Sequence, residues 1–195
     1  MRQKKNNQKY DLTAASIISL VSLLVLMWLL ELFNWSLPQL QLDNYGIRPR
    51  DIGWLPGIII APLLHGSWAH LIANTPPFII FGGLVSLQGI KIFWLVTIIS
   101  TLFSGLGVWL FSPENVVTVG ASGVIFGYLG FLLLRGLFAR SIGAILISLI
   151  VGFLYGGTLW GILPSSPNIS WQAHFFGLIG GVFAASLGRK RSMGN

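Results

Sequence analysis

The stretch Val117–Gly136, VTVGASGVIFGYLGFLLLRG, decides how the chain is read. It has the composition of a membrane helix, yet near its start a serine sits among small residues, Gly120-Ala121-Ser122-Gly123. A serine nucleophile needs a base and water, and lipid supplies neither. A serine with that role has to face a protein interior or a water-filled cavity.

Outward from this stretch the chain keeps the same character. Of its 195 residues, 54% are hydrophobic and 9% charged, more apolar side chain than one soluble core can hide. Six segments approach the roughly 20 apolar residues that a helix needs to cross a hydrocarbon core about 30 Å thick. They are Thr13–Phe33, Ala69–Leu87, Ile92–Phe111, Ser122–Leu134, Ile142–Leu163 and Gln172–Leu187, the fourth being short. The expected fold is an all-α polytopic membrane protein with six transmembrane helices in a single domain spanning 1–195. Residues 1–12 and 188–195 are expected as cytoplasmic tails and 34–68 as an outer loop. The first apolar run is too long for a signal-peptide core and has no small-x-small cleavage site, so it reads as an uncleaved anchor.

An even number of spans puts both termini on one side. Ten of the twelve Lys and Arg residues fall on that side, against Arg48 and Arg50 on the other. The positive-inside rule makes the terminal side cytoplasmic, and the expected location is a bacterial plasma membrane. The net charge of +7 belongs to this pattern and does not call for a nucleic-acid partner. Within the outer loop, Leu55–Leu64 is too short and too interrupted by proline to span, so it is expected in the outer interface.

Depth follows from counting at 1.5 Å per residue. Ser122 precedes Arg135 by thirteen residues, about 20 Å; His174 precedes Arg189 by fifteen, about 22 Å; Asn74 precedes Lys91 by seventeen, about 25 Å. His70 is one turn above Asn74 on the same helical face. All four converge on the outer third of the bilayer. The short fourth span holds Ser122 below the outer surface, where water can enter from above.

The residue types limit the chemistry. Cysteine is absent, which excludes disulfides, a thiol nucleophile and thiolate metal sites. There is no HExxH, and the only acidic residue inside a span is Glu31, at the end of the first. Paired-carboxylate catalysis also falls away, because Asp11, Asp43 and Asp51 lie in tails or loops. No metal and no cofactor is expected. What remains is Ser122 as nucleophile with His174 as base, without an acidic third member. Backbone N–H groups at the Ser122 turn and the side chains of His70 and Asn74 can supply the oxyanion donors.

Each piece also has a plainer reading. A G-x-S-G motif is weak alone in a chain with 24 glycines. Gly123-x-x-x-Gly127 and Gly177-x-x-x-Gly181 can serve simply to let two helices touch. An intramembrane histidine can be polar glue, and Pro76-Pro77 can be no more than a kink. A small transporter or channel is disfavoured by the lack of an intramembrane acid–base chain and of an inverted repeat.

Taken together, the segments HGSWAHLIAN (65–74), GASG (120–123) and AHFFGLIGG (173–181) resemble the rhomboid family of intramembrane serine proteases over essentially the whole chain. The resemblance implies an endopeptidase that cleaves single-span membrane proteins near the outer face of the bilayer through an acyl-enzyme. It implies Ser122 as nucleophile, His174 as base, His70 and Asn74 as oxyanion donors, and His65 as a structural histidine. It further implies that Pro164–Trp171 caps the site and that the fifth span moves to admit substrate. Phe126 stands where the family often has a tyrosine, keeping the ring and losing the hydroxyl, and the outer loop lacks the Trp-Arg pair of many members. The alternative is a catalytically inactive rhomboid-like protein that binds or escorts membrane proteins. Such relatives usually lack the serine or the histidine, and this chain has both.

Overall fold

A computed structural model describes residues 2–139, 141–164 and 169–187. Arg140, Arg189, Lys190 and Arg191 of the charge argument, the 188–195 tail and the middle of the expected capping loop lie outside the described residues. Helix α1 spans Arg2–Ser36, α2 is the single turn Gly57–Ile60, α3 spans Trp68–Ser86 and α4 Ile90–Phe111. Then come α5 (Ser122–Ala139), α6 (Ile142–Tyr155) with a 3₁₀ continuation over Gly156–Ile162, and α7 (Trp171–Leu187). Among the described residues, the only β pairing is a single bridge between Ile47 and Thr118.

The apolar surfaces are turned outward. Val151 is the only buried residue of α6, while Phe153 on the same helix is 90% exposed. A soluble protein does not leave whole helix faces of Ile, Leu and Phe bare, so this is an integral membrane protein. Four helical stretches are long and apolar enough to cross a bilayer: Asp11–Ser36, Trp68–Ser86, Ile90–Phe111 and Ile142–Ile162. Two further apolar helices, Ser122–Phe138 and Trp171–Leu187, are shorter. The expected six crossings are therefore reached only if α5 and α7 also span.

Several expected boundaries shift. The polar N-terminus is helical from Arg2, continuous with the apolar span that begins at Asp11. The fourth segment runs to Ala139 instead of Leu134, because Arg135 does not end it. Its guanidinium lies 5.7 Å from the Phe131 ring centroid and is partly buried, where its long stem can be absorbed without breaking the helix. The fifth leaves α-helical geometry at Gly156. Pro76 and Pro77 sit inside a continuous α3.

The interior is organised on α4, α5 and α7. Tyr128 is fully buried, its hydroxyl 2.8 Å from Thr97 on α4, with Phe78 and Phe93 around its ring. A buried phenol in apolar surroundings needs such a partner. Helices α5 and α7 run parallel with their backbones in contact. A Cβ added at Gly177 would strike the carbonyl of Gly123, and one at Gly181 the carbonyl of Gly127. From α4, the Ser104 and Ser100 hydroxyls fill the space that side chains at Gly123 and Gly127 would need. The small-xxx-small pairs in the sequence are this interface.

The packing sets a sharp contrast between glycines. Gly181→Ala puts a methyl group into backbone that cannot yield, and should destabilise the protein by about 1–3 kcal/mol. Gly83→Ala on α3 meets no atom within 4 Å and should be neutral or stabilising by up to about 1 kcal/mol. Thermal unfolding of both variants in the same micelles checks the pair; equal effects would contradict the α5–α7 contact.

Candidate active site

Two of the helices that bring site residues together begin with a serine cap. The Ser67 hydroxyl accepts from the His70 N–H at 3.2 Å at the start of α3, and the Ser170 hydroxyl from the Ala173 N–H at 3.3 Å before His174 on α7. Helix α5 differs, because the residue before Ser122 is Ala121, which has no side-chain oxygen to offer. The first N–H groups of a helix have no intrahelical partner, so those at Ser122 and Gly123 remain available to an anion.

The turn before Ser122 is held by the outer loop. Ile47 and Thr118 exchange backbone bonds of 2.9 and 3.0 Å, and the Gly120 N–H donates to the Ala61 carbonyl at 2.9 Å. Gly120 has φ +120°, which an L side chain rarely adopts. A Cβ there would also lie 2.8 Å from His70 Nε2 and 3.6 Å from Asn74 Nδ2, so both side chains crowd the peptide next to the serine. His65, 1% exposed, accepts from the Ala121 N–H through Nε2 at 3.5 Å. Burial, with His70 alongside adding to the effect, pushes its pKa down to about 4, which keeps this acceptor neutral.

The outer loop is itself tied down. Arg50 reaches the Glu114 carboxylate at 2.9 Å and the Leu110 carbonyl at 3.1 Å. Arg48 lies 3.9 Å from the Trp54 ring centroid, so arginine and tryptophan meet in space although they are not adjacent in sequence. The stretch expected in the outer interface turns Ile58, Ala61 and Leu64 into the protein, with Ile58 filling the space over Gly105 of α4.

His70, Asn74, Ser122, Phe126 and His174 all line one cleft of about 960 Å³. Val117, Thr118, Ser170 and Trp171 also line it. The Phe126 ring stacks on His174 at 4.2 Å between centroids and 8° between planes. His174 is 9% exposed, and its Nδ1 lies 2.8 Å from the Gly161 carbonyl oxygen. Asn74 is buried and its Nδ2 has no partner among the described residues. Ser122 and His174 face the same space without a hydrogen bond between them; such bonds are often loose until substrate is present.

The sequence therefore pointed to five of the side chains that line the cleft. It did not find Ala61 and Gly161, whose roles are played by backbone carbonyls. No residue type signals a carbonyl, so only the fold reveals them. Among the described residues no group of three or more His, Asp or Glu side chains could hold a metal ion.

A family profile for the Rhomboid domain matches residues 54–191, which contain every one of these site residues. An uncharacterized protein of Mycobacterium tuberculosis is 40% identical over 193 residues, 95% of this chain and 79% of that protein. The rhomboid protease GluP of Bacillus subtilis is 31% identical over 177 residues, 85% of this chain and 33% of that protein. With the profile covering most of the chain, from the outer loop through the last helix, the protein belongs to the rhomboid family.

Proposed function

We propose that the protein is an intramembrane serine endopeptidase that cuts single-span membrane proteins near the outer face of a bacterial plasma membrane, with both its own termini in the cytoplasm and α5 and α7 completing six crossings. The observation that carries this reading is the shared cleft. Ser122 stands at the open start of α5, His174 is stacked against Phe126 in the same cleft, and a buried amide donor at Asn74 has no partner among the described residues. An unpaired buried donor is costly unless a ligand satisfies it. A developing oxyanion beside Gly120 would do so.

In this mechanism His174 Nε2 takes the Ser122 Oγ proton as Oγ attacks the scissile carbonyl. The new Oγ–C bond pushes the carbonyl electrons onto oxygen, which the N–H groups at the start of α5, Asn74 and His70 receive. Collapse breaks the C–N bond, and the proton on Nε2 passes to the leaving amine. Water then attacks the acyl-enzyme by the same route, and the product acid leaves with Ser122 restored. No metal or cofactor enters any step. The family membership and the rhomboid protease GluP among the relatives support the same chemistry.

A fluorophosphonate should label the wild-type protein and not Ser122→Ala; labelling that persists in the variant would sink the assignment. His174→Ala should lose turnover of a reporter span while melting normally. Asn74→Ala should keep some activity, with kcat lower by about 10- to 1000-fold, because one donor among several is removed. A folded protein that neither labels nor cleaves the reporter would favour the escort reading.

Depth provides an independent check. A regular helix hides its carbonyls in i to i−4 bonds, so the scissile bond must lie in a segment that unwinds cheaply. Gly, Ala, Ser or Pro near the outer end of a substrate span should promote cleavage, and leucine replacement there should abolish it. In liposomes, mass spectrometry of the new N-terminus should show no cutting when the breaker is moved to the inner third. Cleavage that follows the breaker to the cytoplasmic half would overturn the depth of Ser122.

A further inference from the structure

The dyad lacks an acidic third member, and the structure offers another group in that place. His174 Nδ1 lies 2.8 Å from the Gly161 carbonyl oxygen. A carbonyl oxygen can only accept, so the proton of the neutral ring is on Nδ1 and Nε2 is left bare toward the cleft. That is the tautomer a general base requires. The geometry points to Gly161 as the positioning residue of the base, delivered by the 3₁₀ segment Gly156–Ile162 at the outer end of α6. This inference rests on the proposed role of His174 and adds what sets its working state.

Two features make the assignment specific to residue 161. First, the segment approaches the stacked rings so closely that a Cβ at Gly161 would lie 2.9 Å from Phe126 Cζ and 3.3 Å from His174 Nδ1. Only glycine brings its carbonyl to the imidazole edge without displacing the stack. Second, the segment is unusual backbone: seven residues of 3₁₀ helix, where runs beyond three or four are uncommon and often mark a hinge. None of its residues is buried, and Gly156 and Gly157 at its start have nothing within 4 Å of an added Cβ. The base is thus oriented from one side by stacking on Phe126 and from the other by a segment that touches the core through Leu159 and Ile162 but has no fully buried residue. Moving that segment away frees Nδ1, lets the proton migrate to Nε2, and removes the base without disturbing Ser122.

The first test needs no substitution. The chain has three histidines, so the full-length protein labelled with ¹⁵N-histidine gives few ring signals, and His174 is identified by the signal lost in His174→Ala. Two-bond proton–nitrogen spectra should show protonated Nδ1 and bare Nε2 at His174; a proton on Nε2 would overturn the inference. The second test is Gly161→Ala, which should shift His174 toward mixed tautomers. It should lower kcat on a reporter span on the order of 10- to 100-fold, with KM within about twofold. Wild-type kcat together with an unchanged tautomer in that variant would also overturn it. Should Gly161→Ala fail to melt cooperatively, the wild-type spectrum decides alone. Turnover that survives in His174→Ala would instead sink the proposed base and leave the tautomer result standing, so the two failures are distinguishable.

Discussion

The backbone contact between α5 and α7 is the constraint on which the site depends. Lipid tails are as apolar as leucine, so helices in a bilayer gain little by hiding apolar surface and must gain by close packing. Gly123 against Gly177 and Gly127 against Gly181 bring two backbones together at points one helical turn apart. Ser122 is one residue from the first of these points on α5, and His174 is three residues from it on α7. The spacing of Ser122 and His174 is therefore set by helix packing and not by the loops above. Helix α4 supports both through Ser100 and Ser104, and its Gly107 lies under the Phe176 ring of α7.

Onto this rigid base the outer loop places the parts that need finer adjustment. The Ile47–Thr118 bridge, the Ala61 carbonyl and His65 each hold a different peptide group between Thr118 and Ala121. Their combined effect is to keep Gly120 at positive φ, with the start of α5 open to the cleft. Asn74 Nδ2 is one of several buried polar atoms with no partner among the described residues, and it is the one that lies beside Gly120 in the cleft.

Much of this was legible before any coordinates, for definable physical reasons. Ser122, His70, Asn74 and His174 stood out because polar side chains in apolar runs are expensive and must be justified. Counting at a fixed rise per residue brought them to one depth because helices are regular. The paired glycines carried the α5–α7 contact because close backbone approach admits few residue types. The rest depended on groups that every residue possesses. The carbonyls of Ala61 and Gly161 are invisible to composition, and the change to 3₁₀ geometry at Gly156 has no marker beyond two glycines. Arg135 misled the boundary of α5 because a charge was read as a helix end, whereas its stem lies along Phe131 inside the helix.

On the proposed mechanism, the use of a carbonyl where soluble serine hydrolases use a carboxylate follows from the surroundings. An ionised Asp in this position would need to be desolvated among Phe126, Ile125 and the walls of a membrane protein, at a cost of several kcal/mol unless fully paired. A peptide carbonyl orients the imidazole and fixes its tautomer without introducing a charge. The trade is chemical. A neutral acceptor stabilises the imidazolium formed during attack less than a carboxylate would, so the burden of charge stabilisation moves to the oxyanion side. In that reading the donors concentrate there, with an uncapped helix start, a half-buried His70 and an Asn74 amide that has no partner among the described residues around one peptide. On the proposed mechanism, weak support for the base and dense support for the anion would both follow from placing hydrolysis below the surface of a bilayer.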